Sequence, residues 1–122
     1  MPDGKEVLLK HIAEIAPVST SHGVGEKRVV ATREEVGNTV TQIARTRLKA
    51  GEEVEAHVHP TMDEHFFFLE GECEVEIDGV VSRCLTEDYL FIPAGHRHSI
   101  EVFSDTVMIT IGLETCSKSI LD

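Results

Sequence analysis

A short segment with two histidines, one glutamate and three phenylalanines constrains this chain more than any other part of its sequence. Residues 51–71 read GEEVEAHVHPTMDEHFFFLEG. His57 and His59 are separated by one residue, and alternate side chains of a β-strand project from the same face. Pro60 limits the length of that strand because its ring removes a backbone donor. We therefore expect a hairpin that returns Glu64 on the neighbouring strand, giving two nitrogen ligands and one oxygen ligand for one ion.

The segment resembles the first motif of the cupin superfamily. That motif has the spacing G-x5-H-x-H-x4-E-x6-G, and it is matched in full by Gly51, His57, His59, Glu64 and Gly71. A second cluster, IPAGHRHS at residues 92–99, resembles the second cupin motif, G-x5-P-x-G-x2-H-x3-N. It is matched at Pro93, Gly95 and His98 and departs from the motif at Glu87, where glycine is usual, and at Val102, where asparagine is usual.

The resemblance implies an all-β fold, a double-stranded β-helix of the jelly-roll type, with one metal ion. The implied ligands are His57, His59, Glu64 and His98. Such nitrogen and oxygen ligands suit a divalent transition metal ion, and ligand type alone does not choose among iron, manganese, nickel, zinc and copper. Four protein ligands leave about two octahedral positions open, which is typical of catalytic metal sites.

The remainder of the chain predicts short strands separated by turns, which also favours a barrel or sandwich. We divide the single domain into an N-terminal arm (1–39), a barrel core (40–113) and a C-terminal tail (114–122). Residues 5–16 are compatible with a short helix or an edge strand, and residues 31–38 with a loop or short turn. Asp78-Gly79 predicts a two-residue hairpin turn between strands. Ser104-Asp105 predicts a turn between two further strands.

Several side chains are candidates for the pocket wall. In the strand predicted over residues 39–48, Gln42 and Thr46 lie on the face assigned to the interior, as pocket groups or ordinary strand residues. Phe66 and Phe68 share the face of Glu64 and predict either pocket wall or core. His22 is expected on the surface. Strand alternation turns His65 and His96 away from the presumed ligands, outward or at the barrel mouth, and the alternative is that either supports a ligand. Tyr89 is expected in the core or an interface, with a proton-donor role as the alternative.

Composition narrows the partners. The 11 basic and 22 acidic residues give a formal net charge of −11, which disfavours nucleic acid and anionic lipid as partners. No apolar run approaches the ~20 residues that a membrane-spanning helix needs, and charged residues in the first 16 positions argue against a secretory signal. Three cysteines without a C-x-x-C pair indicate reduced thiols. We expect a cytoplasmic protein with a small-molecule ligand.

Two classes of function remain open. Small cupins that the chain resembles include dioxygenases, isomerases, epimerases, decarboxylases and lyases, which implies an enzyme acting on a small oxygenated metabolite such as a carbohydrate derivative. The alternative is a non-catalytic module that binds or senses a ligand through the metal, and fold alone does not separate the two. We also expect a homodimer, because Phe67 should point outward and a small barrel leaves edge strands to cover.

Overall fold

Eight β-strands account for most of residues 6, 8–37 and 39–115, which are the residues that the computed structural model describes. The strands are β1 Val18–Ser19, β2 Glu26–Thr32, β3 Val40–Leu48, β4 Glu53–His57, β5 Met62–Ile77, β6 Val80–Leu85, β7 Tyr89–Ile92 and β8 His98–Glu114. A 3₁₀ turn at Ile12–Glu14 and one turn of helix α1, Arg33–Val36, complete the elements. Within this described part, no helix has the length and apolar character that a bilayer crossing would need.

The two longest strands, β5 and β8, each pass through two facing sheets. The first half of β5 pairs with β7 and with the second half of β8, which also pairs with β3. The second half of β5 pairs with β6 and with the first half of β8, which also pairs with β4. All of these pairings are antiparallel, and β1 and β2 extend the first sheet beyond β3. This is a double-stranded β-helix, so the predicted all-β fold class is confirmed.

Both long strands cross from one sheet to the other without a turn. The turn predicted at Ser104-Asp105 is wrong, because β8 runs unbroken through these residues. Gly71 lies inside β5 at φ 103°, where the register with β8 shifts repeatedly between Phe68 and Cys73. Bulges of this kind bend a strand while the pairing on either side continues. The polar Ser-Asp pair therefore marks a bend and not a chain reversal.

The hairpin predicted for the histidine segment is also wrong. Strand β4 pairs with β8 and does not pair with β5 among the described residues. The connection from His57 to Met62 instead carries the chain from the second sheet to the first. The tight turn predicted at Asp78-Gly79 is confirmed: both residues have positive φ, 51° and 85°, and join β5 to β6.

The core lies between the two sheets and forms the floor beneath the site. The first sheet contributes Leu48, Phe66, Phe68, Ile92 and Met108, and the second contributes Val54, Cys73, Val75, Ile100 and Val102, all nearly inaccessible to solvent. Burying a side chain of this size stabilises the fold by about 1.5–3 kcal/mol. Because side chains of both sheets share this core, its packing fixes the distance between the sheets and so between the candidate ligands that they carry.

Two N-terminal segments differ from the sequence expectation. Residues 31–38 contain α1, whose capping box pairs the Thr32 side chain with Glu35 N and the Glu35 side chain with Thr32 N. The pattern T-x-x-E before a glycine was the available signal for this helix turn. Residues 5–16 contain only the 3₁₀ turn as regular structure where the chain is described, and the predicted tail lies outside the described residues from position 116 onward.

Candidate metal centre

Four side chains from both sheets converge at one end of the barrel. His57 ends β4 and stands directly opposite His98, the first residue of β8, so these two imidazoles share a face of the second sheet. His59 follows β4 in the connection, and Glu64 comes from β5 in the first sheet. One ligand atom from each of the four lies within 4.8 Å of the other three. The site therefore bridges the two sheets and depends on their separation.

Backbone carbonyls fix the orientation of two of the rings. His57 Nδ1 donates to Glu55 O at 2.8 Å, and His98 Nδ1 donates to His96 O at 3.0 Å. In the neutral ring the proton then sits on Nδ1, and Nε2 carries a lone pair. This is the arrangement in which histidine presents Nε2 to a metal ion while its other nitrogen is held by an outer partner.

Glu64 brings a carboxylate oxygen against two of these imidazoles. Its Oε1 lies 3.1 Å from His98 Nε2 and 3.3 Å from His59 Nε2. Glu64 Oε1 and His98 Nε2 are both buried and have no hydrogen-bond partner in the described structure. Two lone-pair atoms at this separation repel unless a cation or a proton lies between them. Ligand atoms around a first-row ion lie about 2 Å from it and so within about 4 Å of each other. The Glu64 contacts fall inside this limit, and the whole cluster, within 4.8 Å, lies near it.

Charge coupling within the cluster sets the pKa values of its members. Burial would raise the pKa of Glu64, but the neighbouring His98, His59 and His57 outweigh it and hold that pKa below its usual value. Burial lowers the pKa of His59 despite the nearby carboxylate. For His98 burial acts in the same direction, but Glu64 and the His96 carbonyl outweigh it and raise the pKa. An ionised Glu64 thus favours positive charge at this point.

Metal retention is expected to fall as the pH is lowered. Imidazole binds metal only when neutral, and its unperturbed pKa is about 6.5. Since the pKa of His98 is raised, protons compete for this ligand from a higher pH than for an ordinary histidine, whereas His59 is protonated only at lower pH. Metal content after dialysis at about pH 5 and about pH 8 checks this. Equal retention at both would mean either extremely tight binding or a site that is not built on histidine.

A cavity of about 230 Å³ opens beside the cluster. Its apolar floor comes from the core, and the His59 side chain, 31% exposed, marks the side that solvent reaches, whereas His98 is only 2% exposed. Of the pocket candidates, Gln42, Thr46 and Phe66 line this cavity. Phe68 is instead part of the core, edge-on to Phe66 with ring centroids 6.2 Å apart. Phe68 follows Phe66 by two residues on β5, and its side chain therefore lies deeper in the barrel, below the cavity.

His65 and His96, the histidines next to ligand positions in the sequence, both point away from the metal cluster. His65 projects from the outer face of β5, where its Nδ1 is 2.6 Å from the Tyr89 hydroxyl and its ring stacks on Phe91. His96 pairs with the Asp78 carboxylate at 2.5 Å near the barrel end. Neither histidine lines the cavity.

His22 is exposed, as the sequence analysis expected, and it also lines the cavity, which that analysis did not predict. Its ring centroid lies 5.8 Å from that of His57. The Thr20 hydroxyl donates to Val24 O at 2.5 Å and so accepts the Nδ1 proton of His22 at 3.0 Å, which leaves Nε2 as an acceptor. Burial, followed by the nearby His57, lowers the pKa of His22, so the ring stays neutral near pH 7. A lone histidine in a turn carried no motif that could have placed it here.

The two departures from the second motif have different structural settings. Glu87 adopts φ 73° in a turn, a conformation that suits glycine and costs energy for other residues. Val102 is 2% exposed and packs in the core. Neither residue lines the cavity or belongs to the ligand cluster.

Comparison with known proteins adds a family and several relatives. Residues 44–112 match a family described as "Cupin domain". The chain is 33% identical over 88 residues to the tetracenomycin polyketide synthase protein TcmJ of Streptomyces glaucescens, a match covering 71% of this chain and 59% of that protein. It is 30% identical over 81 residues to the polyketide synthase CurC of Streptomyces cyaneus, covering 66% and 53% of the two chains. The match thus spans little more than half the length of these relatives.

Solved structures of the same architecture are numerous. A predicted oxalate decarboxylase from Thermotoga maritima superposes with a TM-score of 0.78 at 25% identity, covering 88% of this chain and 99% of that one.

Proposed function

The chain belongs to the cupin family, and from that premise we propose that it is a small metal-dependent enzyme acting on a small oxygenated metabolite. The observation that carries the proposal is the buried, unpaired Glu64 Oε1 facing three imidazoles beside an open cavity. A purely structural cluster would satisfy these atoms with protein hydrogen bonds. Atoms left free beside an open cavity are available to an ion and to a ligand that enters the cavity.

His57, His59, Glu64 and His98 would hold one divalent transition metal ion. When bound there, such an ion polarises a carbonyl or enol oxygen of a ligand, or supports oxygen chemistry if it is redox-active. The four side chains act as ligands and not as proton carriers. His22, with Nε2 as its acceptor, is placed to receive a hydrogen bond from a hydroxyl of the substrate.

The nature of the substrate follows from chemistry and from the relatives. Two relatives are polyketide synthase proteins by name, and a polyketide intermediate, rich in carbonyl and enol oxygens, is one form of oxygenated metabolite that the site could polarise. A carbohydrate derivative presents the same oxygen-rich surface. The proposed substrate is thus a small oxygenated metabolite. Neither nucleic acid nor a membrane surface is proposed as a partner, because the net charge of −11 repels both.

Turnover is expected to depend on which metal ion is present. Zinc has no redox chemistry, so zinc substitution should abolish an oxygenase and spare an isomerase or lyase that works by carbonyl polarisation. The assay incubates iron, manganese, nickel, copper and zinc forms with a metabolite extract that includes polyketide intermediates, and follows product formation by mass spectrometry. The protein with His57→Ala and His59→Ala serves as the metal-free control.

A binding or sensing module is the second candidate, and the same assay separates it from an enzyme. A module of that kind holds its ligand with similar affinity across several metal ions and forms no product. Retention of a ligand without product in every metal form would therefore overturn the enzyme proposal and leave the binding function in its place.

Homodimerisation is a further part of the proposal. The outer face of β5 and β7 carries Phe67, Tyr89 and Phe91, each more than 40% exposed, with the Phe67 and Tyr89 ring centroids 5.0 Å apart. Contiguous exposed aromatics are typical of protein interfaces. Sedimentation at micromolar concentration should give twice the chain mass of 13.5 kDa, and a monomer alone would contradict it.

We also propose that the protein is cytoplasmic, as its composition predicts.

A further inference from the structure

A lysine lies in the wall of the metal-site cavity. Lys27 is on β2 directly opposite Thr46 of β3, and opposed residues of antiparallel strands share a face, so its side chain enters the barrel interior with that of Thr46. Among the residues that the structure describes, the cavity lining contains, apart from histidines, one basic residue, Lys27, and one acidic residue, Glu64. Because Glu64 belongs to the metal cluster, the ammonium has no acid of its own in this wall.

The hydrogen bonds around Lys27 leave a surface of donors. Its Nζ donates to Gln42 Oε1 at 2.7 Å, and it takes part in no ion pair within the described structure. An ammonium group has three protons and cannot accept, so the contacted atom of Gln42 is its carbonyl oxygen. Two protons of Lys27 and the amide NH₂ of Gln42 then remain for a ligand. This part of the wall suits a group that only accepts.

The charge balance of the cavity points the same way. A divalent ion adds two positive charges, Glu64 removes one and Lys27 adds one, so the loaded cavity carries a net charge of about +2. The whole chain carries −11. A partly buried ammonium is stabilised by an opposite charge more than by an amide oxygen. The missing counter-charge is one that a ligand can bring.

We propose that the ligand of this cavity is a small organic anion, a carboxylate or an enolate, whose charged group binds Lys27 Nζ and the Gln42 amide. A second oxygen of the same molecule faces the histidine cluster. This inference rests on the proposed function, since it takes the metal-bearing cavity as the ligand site. The volume of about 230 Å³ lies below the ~300 Å³ at which ligand pockets usually begin, so the part of the ligand inside the barrel is a small acid.

The test compares ligands that differ only in charge at one end. Malonate, succinate and glutarate are titrated calorimetrically into the zinc-loaded protein alongside their monoamides, which keep the shape and lose one negative charge. At least one dicarboxylate should bind about tenfold or more tightly than its monoamide, as a charge-assisted hydrogen bond contributes. Lys27→Met should remove this preference, because it should weaken binding of the dicarboxylate far more than binding of its monoamide. Lys49→Met, which removes the same charge from an exposed position outside the cavity, should preserve it.

The outcomes separate this inference from the function on which it rests. Equal affinity for each acid and its monoamide, absence of binding by every dicarboxylate, or a preference that survives Lys27→Met would overturn the anion assignment. The ligand comparison uses the unaltered protein and so holds even if a variant folds poorly. Failure of the proposed function appears elsewhere, as absence of bound metal and of metal-dependent product. Titration of the protein with His57→Ala and His59→Ala shows whether the Lys27-dependent preference persists without the ion.

Discussion

Replacing His57 and His59 together by alanine is expected to remove the metal and leave the barrel folded. Altering an outer partner of a metal ligand already costs about 10- to 100-fold in affinity, so losing two ligands should weaken binding by more than about 100-fold. Neither residue belongs to the core cluster, and the far-UV spectrum should stay β-rich. Elemental analysis of natively purified protein, with circular dichroism in parallel, measures both effects.

His65→Ala is the matched control for that experiment. His65 lies one position from Glu64 but projects from the outer face of β5 towards Tyr89 and Phe91. Its loss removes an imidazole of the same chemistry and should leave metal content unchanged. Full metal occupancy in the double variant, or equal loss in the control, would show that the ion is held by other residues.

Gly71→Ala is expected to destabilise the fold strongly. Gly71 has φ 103°, and a Cβ added there would lie 2.5 Å from Thr106 Cα and against Asp105 O. Positive φ alone costs about 1–3 kcal/mol for an L-residue, and the overlap with the backbone of β8 adds to it. A loss of about 3 kcal/mol or more should lower Tm by roughly 10 °C or more. Thermal unfolding followed by circular dichroism checks it.

Gly51→Ala separates strain from overlap. Gly51 has φ 88°, yet nothing lies within 4 Å of an added Cβ. This variant should lose only about 1–2 kcal/mol, the cost of the left-handed conformation. If both variants unfold at the same temperature, close contact between β5 and β8 at the bend is not what requires glycine at position 71.

The spacing of the histidine segment was the most informative part of the sequence, because it limits both the fold and the ligand chemistry. Its resemblance to the cupin motif predicted the family and the all-β fold class, which are confirmed. Together with the second cluster at residues 92–99, it named four residues whose ligand atoms the structure brings within 4.8 Å. The residue types at Asp78-Gly79 correctly predicted a hairpin turn, since both residues tolerate the positive φ that this tight turn uses. Such information is local and depends on residue type alone.

Strand partners were decided only by the tertiary structure. Alternation identifies the face of a strand but not its neighbour, which is why the predicted pairing of β4 with β5 and the break in β8 were wrong. Lys27 and His22 enter the cavity because β2 and the turn before it pack beside β3, a contact between segments that share no motif. Phe66 and Phe68 have the same periodicity and both belong to the core, and only their depth between the two sheets makes Phe66 a cavity wall as well.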